Sequence, residues 1–364
     1  CPALTTVLVA EDNRWYFVEG GLLFRKSETG QKMLGYVGDT EGICTVPEGT
    51  KTIPDYFFQK RVSLTAVSLP EGVDEIGNFA FRDCTGLISV TIPEGVSKIG
   101  RNAFSGCTSL TSVILPTSVT AIDEYAFFGC TSLTGMTIPE GVSKIGRKAF
   151  SGCTSLANVM LPTSVTAIDE ETFSSCTSLT SVTIPVGVQE IGKSAFWCCT
   201  NLASVTIPES VTEIGDVAFR GCTSLSSIII REGVVRIGQT AFGETPWLEQ
   251  QKAEHGIVYA GRCVAACRET LAHAEIKDGT RYICNHAFRE CTALTSVVIP
   301  EGVTEIDWCA FDGCTGLTSV TIPASVTAIG WWAFRGCEQL TIHAPAGSYA
   351  RQYAEENHIP FAAE

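Results

Sequence analysis

Residues 107–129 read CTSLTSVILPTSVTAIDEYAFFG, and residues 130–152 repeat the same pattern as CTSLTGMTIPEGVSKIGRKAFSG. Because so many in-phase copies follow one another, the chain is a repeat protein in which each unit buries its apolar side against its neighbours. The usual estimate of two or three globular domains for 364 residues therefore does not apply. Prolines keep the 23-residue spacing along most of the chain, at positions 47, 70, 93, 116, 139, 162, 185, 208, 300 and 323.

Apolar columns predict two short extended segments in each unit. Leu110 and Val113 stand in a spacing of the type LxxVxI, which indicates a strand with one buried face. A second extended piece follows the proline, as at Val96 and Ile99. An Ala-Phe pair closes the unit, and we expect each ring to be buried against the next: Phe58, Phe81, Phe104, Phe127, Phe150, Phe173, Phe196, Phe219, Phe242, Phe288, Phe311 and Phe334.

A first array of repeats is predicted to span residues 1–242 and to contain one irregular, hairpin-like unit, residues 10–46. Within that unit, Trp15 to Val18 and the run 20–24 have the composition of two strands. Residues 1–9 fit the middle of a repeat, so we expect the natural protein to continue upstream. The residues that fit the columns there are Cys1, Leu4, Val7 and Val9.

A second array is predicted for residues 243–340, because the repeat resumes one whole period late after Phe242. The runs Ile257–Tyr259 and Cys263–Ala266 predict a small hairpin at its start. Residues 341–364 predict a C-terminal cap that contains a short amphipathic helix from Ser348, as N-cap, to about residue 357. We expect all of these parts to form one continuous solenoid.

The unit CTSLTSVTIPEGVxEIGxxAF resembles the BspA-like class of leucine-rich repeats in bacterial surface and secreted proteins. The segments DNRWYFVEGGLLF (12–24) and SYARQYAEENHIPF (348–361) share this resemblance. It implies a leucine-rich repeat solenoid, which we expect to be a right-handed, β-rich coil of 23-residue repeats with parallel strands, short helical turns and a C-terminal helical cap. It also implies adhesion to host matrix proteins, other cells or surfaces, at an extracellular or cell-surface location in a bacterium.

The charge balance argues against several classes of protein. With 25 Lys and Arg against 39 Asp and Glu, the chain lacks the basic surface that a nucleic-acid partner needs. No run of apolar residues is long enough for a membrane span. No metalloprotease, serine-hydrolase or phosphate-loop motif occurs, so we predict no catalytic residues, metal or cofactor. We also predict a monomer.

Acidic pairs could imitate a glycosidase site, but they recur with the repeat, as Asp123-Glu124 and Asp169-Glu170. One column alternates in charge, which places opposite charges on neighbouring coils and favours correct register. We therefore predict ion pairs along this charge column, which consists of Arg101, Glu124, Arg147, Glu170, Lys193 and Asp216.

Cysteines also form a column, and we predict that they are reduced, buried thiols, because a small apolar residue is needed in every coil. The alternative is a metal site, for which the best candidates are Cys263, Cys267, His273, Cys284 and His286. The cysteine column consists of Cys84, Cys107, Cys130, Cys153, Cys176, Cys199, Cys222, Cys291, Cys314 and Cys337, with Cys1 as an extension.

Three tryptophans are the candidate partner-binding residues. Trp308 and Trp331 occupy one outward column, and Trp332 follows directly. The alternative is that they pack beneath the C-terminal helix through Tyr349 and Tyr353. We predict a non-enzymatic module that binds a protein or glycan on a host or neighbouring cell; the alternatives are a structural stalk and an enzyme with a site in residues 243–286.

Overall fold

A computed structural model describes residues 7–19, 21–27, 30–36 and 42–364. It confirms a solenoid in which each 23-residue repeat forms one coil with short parallel strands. Contacts group the chain into two compact units. The first comprises Cys1–Val188, Ser194–Val205 and Gly221–Ser224, and the second comprises Gln189–Lys193, Thr206–Arg220 and Leu225–Glu364.

The chain opens with an antiparallel meander of strands β1 (Tyr16–Glu19), β2 (Leu22–Ser27) and β3 (Gly30–Tyr36). Its apolar side is closed by the buried side chains of Leu22, Phe24 and Met33. Of the residues predicted to continue the repeat upstream, Cys1 and Leu4 lie outside the described residues. Residues 7–10 form no strand.

Each regular coil contributes a first strand with an even number and a shorter second strand with an odd number. In chain order they are β4 (Gly42–Thr45), β5 (Thr52–Ile53), β6 (Leu64–Ser68), β7 (Glu75–Ile76), β8 (Ser89–Thr91), β9 (Lys98–Ile99), β10 (Ser112–Ile114), β11 (Ala121–Ile122), β12 (Gly135–Thr137), β13 (Lys144–Ile145), β14 (Asn158–Met160), β15 (Ala167–Ile168), β16 (Ser181–Thr183), β17 (Glu190–Ile191), β18 (Ser204–Ile207), β19 (Glu213–Ile214), β20 (Ser227–Ile230) and β21 (Arg236–Ile237).

Register between coils follows the sequence period. Val113 of β10 lies opposite Val90 of β8, and Ile122 of β11 lies opposite Ile99 of β9 and Ile145 of β13, all in parallel pairs. The middle residue of each three-residue first strand in the first unit is buried and its neighbours are not, as the alternation predicted.

The phenylalanine column forms the centre of the core. Phe104, Phe127 and Phe150 are fully buried, and successive rings stack with centroids 5.4 Å apart and planes within 4° of parallel. Phe288 and Phe311 stack in the same way in the second unit, at 4.7 Å. Offset stacks of this kind add to the free energy of burying the rings, so each coil stabilises its neighbours.

A tight turn joins the second strand to the phenylalanine, and one of its residues has left-handed backbone geometry. Tyr125 and Lys148 occupy this position with φ of 59° and 56°. The N–H of Tyr125 donates to the carbonyl oxygen of Arg147 in the next coil at 2.9 Å. Because this bond recurs from coil to coil, it offsets the cost of a left-handed conformation at a residue other than glycine.

The interruption after Phe242 contains a helix and a hairpin. The helix, α1 (Pro246–His255), was not predicted; the Thr245 side chain caps it by accepting a hydrogen bond from the N–H of Leu248 at 3.3 Å. The predicted hairpin is formed by strands β22 (Ile257–Ala260) and β23 (Cys263–Cys267), which pair antiparallel.

Regular coils resume with β24 (His273–Glu275), β25 (Tyr282–Ile283), β26 (Ser296–Val298), β27 (Glu305–Ile306), β28 (Ser319–Thr321), β29 (Ala328–Ile329) and β30 (Thr341–Ala344). The predicted C-terminal helix is confirmed as α2 (Tyr349–Glu356), with Ser348 as its N-cap. Strand β31 (Phe361–Ala363) then pairs parallel with β30. Within the described ranges, neither helix has the length and apolar character that a membrane crossing requires.

Candidate functional site

Trp308, Trp331 and Trp332 lie at the turn that follows the second strand of their coils, and we call them the aromatic patch. Trp331 is 81% exposed and Trp332 is 52% exposed, whereas Trp308 is half-buried. The rings of Trp308 and Trp332 are 6.3 Å apart between centroids. The structure thus brings the indoles of Trp308 and Trp332 together, and Trp331 is exposed directly before Trp332 in the chain.

Helix α2 borders the aromatic patch and does not cover it. A groove of about 350 Å³ lies between them, and its walls include Trp331, Trp332, Tyr349, Tyr353 and Glu356. Tyr353 packs edge-on against Phe334, with centroids 6.1 Å apart, and burial raises the pKa of its phenol to about 12. Tyr353 therefore anchors the helix to the core, while Trp331 stays open to solvent.

Electrostatic contacts hold Trp332 in place. The Arg335 guanidinium lies 5.3 Å from the centroid of the Trp332 ring. The same guanidinium donates two hydrogen bonds of 2.7 Å to the Asp312 carboxylate, which lowers the pKa of that carboxyl. A bidentate pair restricts the arginine more than a single contact would, so the indole beneath it is positioned before any partner arrives.

The five candidate metal ligands do not form one cluster. Cys263 and Cys284 are buried beside each other, but Cys267 is bonded elsewhere. His273 contacts Ser296, and His286 contacts Gln239 and the ring of Trp308. Among the described residues, no three side chains of the metal-ligating types form a group that could hold an ion.

One member of the cysteine column departs from the prediction of reduced thiols. Cys291 forms a disulfide with Cys267, so the prediction was wrong at this position. The physical reason is the hairpin after Phe242, which brings the end of β23 next to the column. The other predicted members from Cys84 to Cys337 are buried thiols.

The charge column forms ion pairs in the first unit. Arg101 lies 3.6 Å from Glu124, and Arg147 lies 3.1 Å from Glu170. Asp123 contacts Lys98 at 2.7 Å, so the acidic pair Asp123-Glu124 is engaged in ion pairs between coils. This arrangement supports a structural role for these carboxylates over a catalytic one.

A further cleft was missed by sequence reasoning. It lies in the second unit and is lined by Arg236, Gln239, Tyr282, Asn285, Asp307 and Trp308, which we call the notch. The sequence signal for it is the one repeat that is missing after Phe242. When one coil of a solenoid is missing, a gap is left between the coils on either side of it. One indole of the aromatic patch, that of Trp308, forms part of its wall.

Solved structures of similar proteins agree with the fold. A leucine-rich repeat protein from Bacteroides ovatus is 28% identical, with a TM-score of 0.64, over 96% of this chain and 99% of that chain. A leucine-rich cell surface protein from Faecalibacterium prausnitzii is 31% identical, with a TM-score of 0.52, over 95% of this chain and 98% of that chain. No curated protein matches the sequence significantly.

The family model of the BspA type leucine-rich repeat region matches in six copies, over residues 51–177, 143–264 and 262–347. These matches cover more than half of the chain and coincide with the coils and stacked rings described above. The chain therefore belongs to the BspA type leucine-rich repeat family.

Proposed function

We propose that this chain is a non-enzymatic recognition module of a bacterial surface or secreted protein and that the aromatic patch contacts its partner. The partner is a protein or glycan on a host or neighbouring cell. The observation that carries the proposal is the 81% exposure of Trp331 next to Trp332 and the groove along α2. Large aromatic side chains supply much of the binding free energy at protein interfaces.

Two further features support the proposal. A relative with 31% identity over nearly the whole chain is described as a leucine-rich cell surface protein. The indole of Trp332 is held in place by Arg335, so little conformational entropy is lost when a partner packs on it. Contiguous exposed apolar side chains mark interaction sites more often than single exposed ones do, and Trp331 and Trp332 are adjacent.

An array of host-matrix proteins and glycans tests the proposal. We expect the intact chain to bind at least one component and Trp331→Ala to weaken that binding by roughly tenfold or more. Trp15→Ala is the matched control, because Trp15 is 63% exposed but lies directly before strand β1, in the other unit. Equal binding by Trp331→Ala and the intact chain would refute the role of the patch, and an array without any binding would favour a structural stalk.

A further inference from the structure

The notch exists because the hairpin after Phe242 replaces a regular coil. Gln239 and Asn285 occupy the same column, yet no coil turn stands between them: the Gln239 side-chain nitrogen lies 3.4 Å from Nδ1 of His286, 47 residues later. Elsewhere in the repeat such contacts join residues 23 apart. The turn of the hairpin contacts the segment just before β21, where the N–H of Arg262 donates to the Val234 carbonyl oxygen. A cavity of about 470 Å³ remains next to β21. That volume is within the range of small-molecule sites.

One polar group at the notch lacks a partner. The side-chain oxygen of Asn285 is buried and accepts no hydrogen bond within the part of the chain that the structure describes. Unpaired buried acceptors are uncommon, because their lost hydration is not replaced. Asn285 also lines the cavity, so a hydroxyl donor bound there would satisfy this oxygen after a rotation about the soft χ2 torsion.

The polar walls of the notch are fixed by internal contacts. The Asp307 carboxylate accepts hydrogen bonds from the Tyr282 hydroxyl and from the N–H of Trp308. Burial and this carboxylate raise the pKa of Tyr282, so the phenol stays protonated and neutral. Arg236 lies 5.9 Å from the centroid of the Tyr282 ring and forms an ion pair with Glu305 at 3.4 Å. The polar side chains of the notch are therefore held in position before a ligand binds.

Trp308 contributes an aromatic side chain to the lining of the notch, together with Tyr282. The centroids of the His286 and Trp332 rings lie 5.2 Å and 6.3 Å from that of Trp308, which restricts the orientation of the indole. Burial lowers the pKa of His286, so its imidazole is neutral near pH 7. The notch thus combines aromatic side chains with amide, carboxylate and guanidinium groups.

We propose that the notch binds a neutral hexose unit of a glycan, with its apolar ring face on Trp308 and its hydroxyls on Asn285 and Gln239. A pyranose has both a flat C–H face and hydroxyls around its edge, so one sugar matches both kinds of wall. Acidic side chains outnumber basic ones in the lining of the cavity, which disfavours acidic sugars. The acidic ones are Glu190, Glu213, Asp216 and Asp307, and the basic ones are Lys193 and Arg236. This inference deepens the proposed function and rests on it, because Trp308 belongs to both sites.

Calorimetric titration with neutral oligosaccharides that end in glucose, galactose or mannose tests the inference. We expect saturable binding of at least one, and Asn285→Ala to weaken it about tenfold. Asn158→Ala is the matched control, because Asn158 is an exposed amide on a first strand of the other unit. If Asn285→Ala fails to fold, Gln239→Phe fills the notch from the opposite side and should abolish binding.

The outcomes separate this inference from the proposed function. Sugar binding that survives in Trp331→Ala and weakens in Asn285→Ala supports the notch as a site. Binding of sialylated or sulfated glycans alone, or no saturable sugar binding, overturns the inference. Protein binding that is lost in Trp331→Ala, without sugar binding by the intact chain, supports the recognition role and overturns only the hexose site. Equal affinity of Asn285→Ala and Asn158→Ala also overturns it.

Discussion

The thiol of Cys153 donates a hydrogen bond to the carbonyl oxygen of Phe127, 26 residues earlier, over 3.1 Å. A buried column position next to a coil carbonyl thus favours a small apolar residue that carries a weak donor, and cysteine meets both requirements. The same bond, over 2.9 to 3.3 Å, is made to the corresponding phenylalanine by Cys84, Cys107, Cys130, Cys176, Cys199, Cys222, Cys314 and Cys337.

Burial of these thiols makes stability depend on alkaline pH. It raises the pKa of Cys84, Cys153 and Cys222 from 9.0 to about 12. The neutral thiol is therefore favoured in the folded state, and this stabilisation is fully present below pH 9.0 and is lost as pH rises toward 12. We expect the free energy of unfolding in urea to fall between about pH 9 and about pH 11, with a shallower slope for Cys153→Ala. Identical slopes would contradict this explanation.

Adjacent phenylalanines offer a direct test of the stacked core. Phe127 is fully buried in the column, whereas Phe128 is 39% exposed on the turn. Phe127→Ala should lower the free energy of unfolding by about 3–5 kcal/mol, because it leaves a cavity between two rings. Phe128→Ala should cost roughly 1 kcal/mol or less. Urea denaturation of both variants measures the difference, and similar losses would argue against the stack.

The ion pairs of Arg147 should make the thermal stability of the first unit depend on salt. The Arg147 guanidinium lies 3.1 Å from Glu170 and 3.6 Å from Glu171. Arg147→Glu places like charges together, so we expect a lower melting temperature at low ionic strength and recovery in high salt. The double variant Arg147→Glu/Glu170→Lys should restore part of the loss. A salt-independent decrease would mean that the guanidinium acts through packing.

Protonation of His286 at acidic pH should lower the thermal stability of the region around Trp308. Burial lowers the pKa of His286 from 6.5, so the neutral imidazole is favoured in the folded state. Its stabilisation is present above pH 6.5 and is lost as pH falls through the lower folded-state pKa. Tryptophan fluorescence during thermal unfolding should show a melting temperature that falls between about pH 7.5 and about pH 5.5. His286→Gln should flatten this slope, whereas the exposed His255→Gln should not.

Much of the fold could be predicted because it is repeated. The phenylalanine column, the two short strands and the register offset follow from spacing alone, since every coil meets the same neighbours. The helix from Tyr349 to Glu356 followed from a capping serine and an amphipathic pattern. Helix α1 was missed, although Thr245 followed by Pro246 is a typical start signal.

The candidate sites depend on contacts that the repeat does not specify. The column placed Trp308 and Trp331 on one face, but whether α2 covers them depends on how a single helix packs. The disulfide between Cys267 and Cys291 and the notch both arise where the hairpin replaces a coil. A local sequence pattern cannot predict which residues meet across this gap. Gln239 and His286, for example, are in contact although they lie 47 residues apart.

Oxidative footprinting of the intact chain bound to an array-identified partner tests the recognition proposal most directly. Trp331 and Met160 are similarly exposed, at 81% and 68%, but Met160 lies on the strand face of the first unit. We expect partner binding to protect Trp331 and Trp332 from oxidation and to leave Met160 and Trp15 unchanged. Protection of Met160 with continued oxidation of Trp331 would contradict the account and place recognition on the strands.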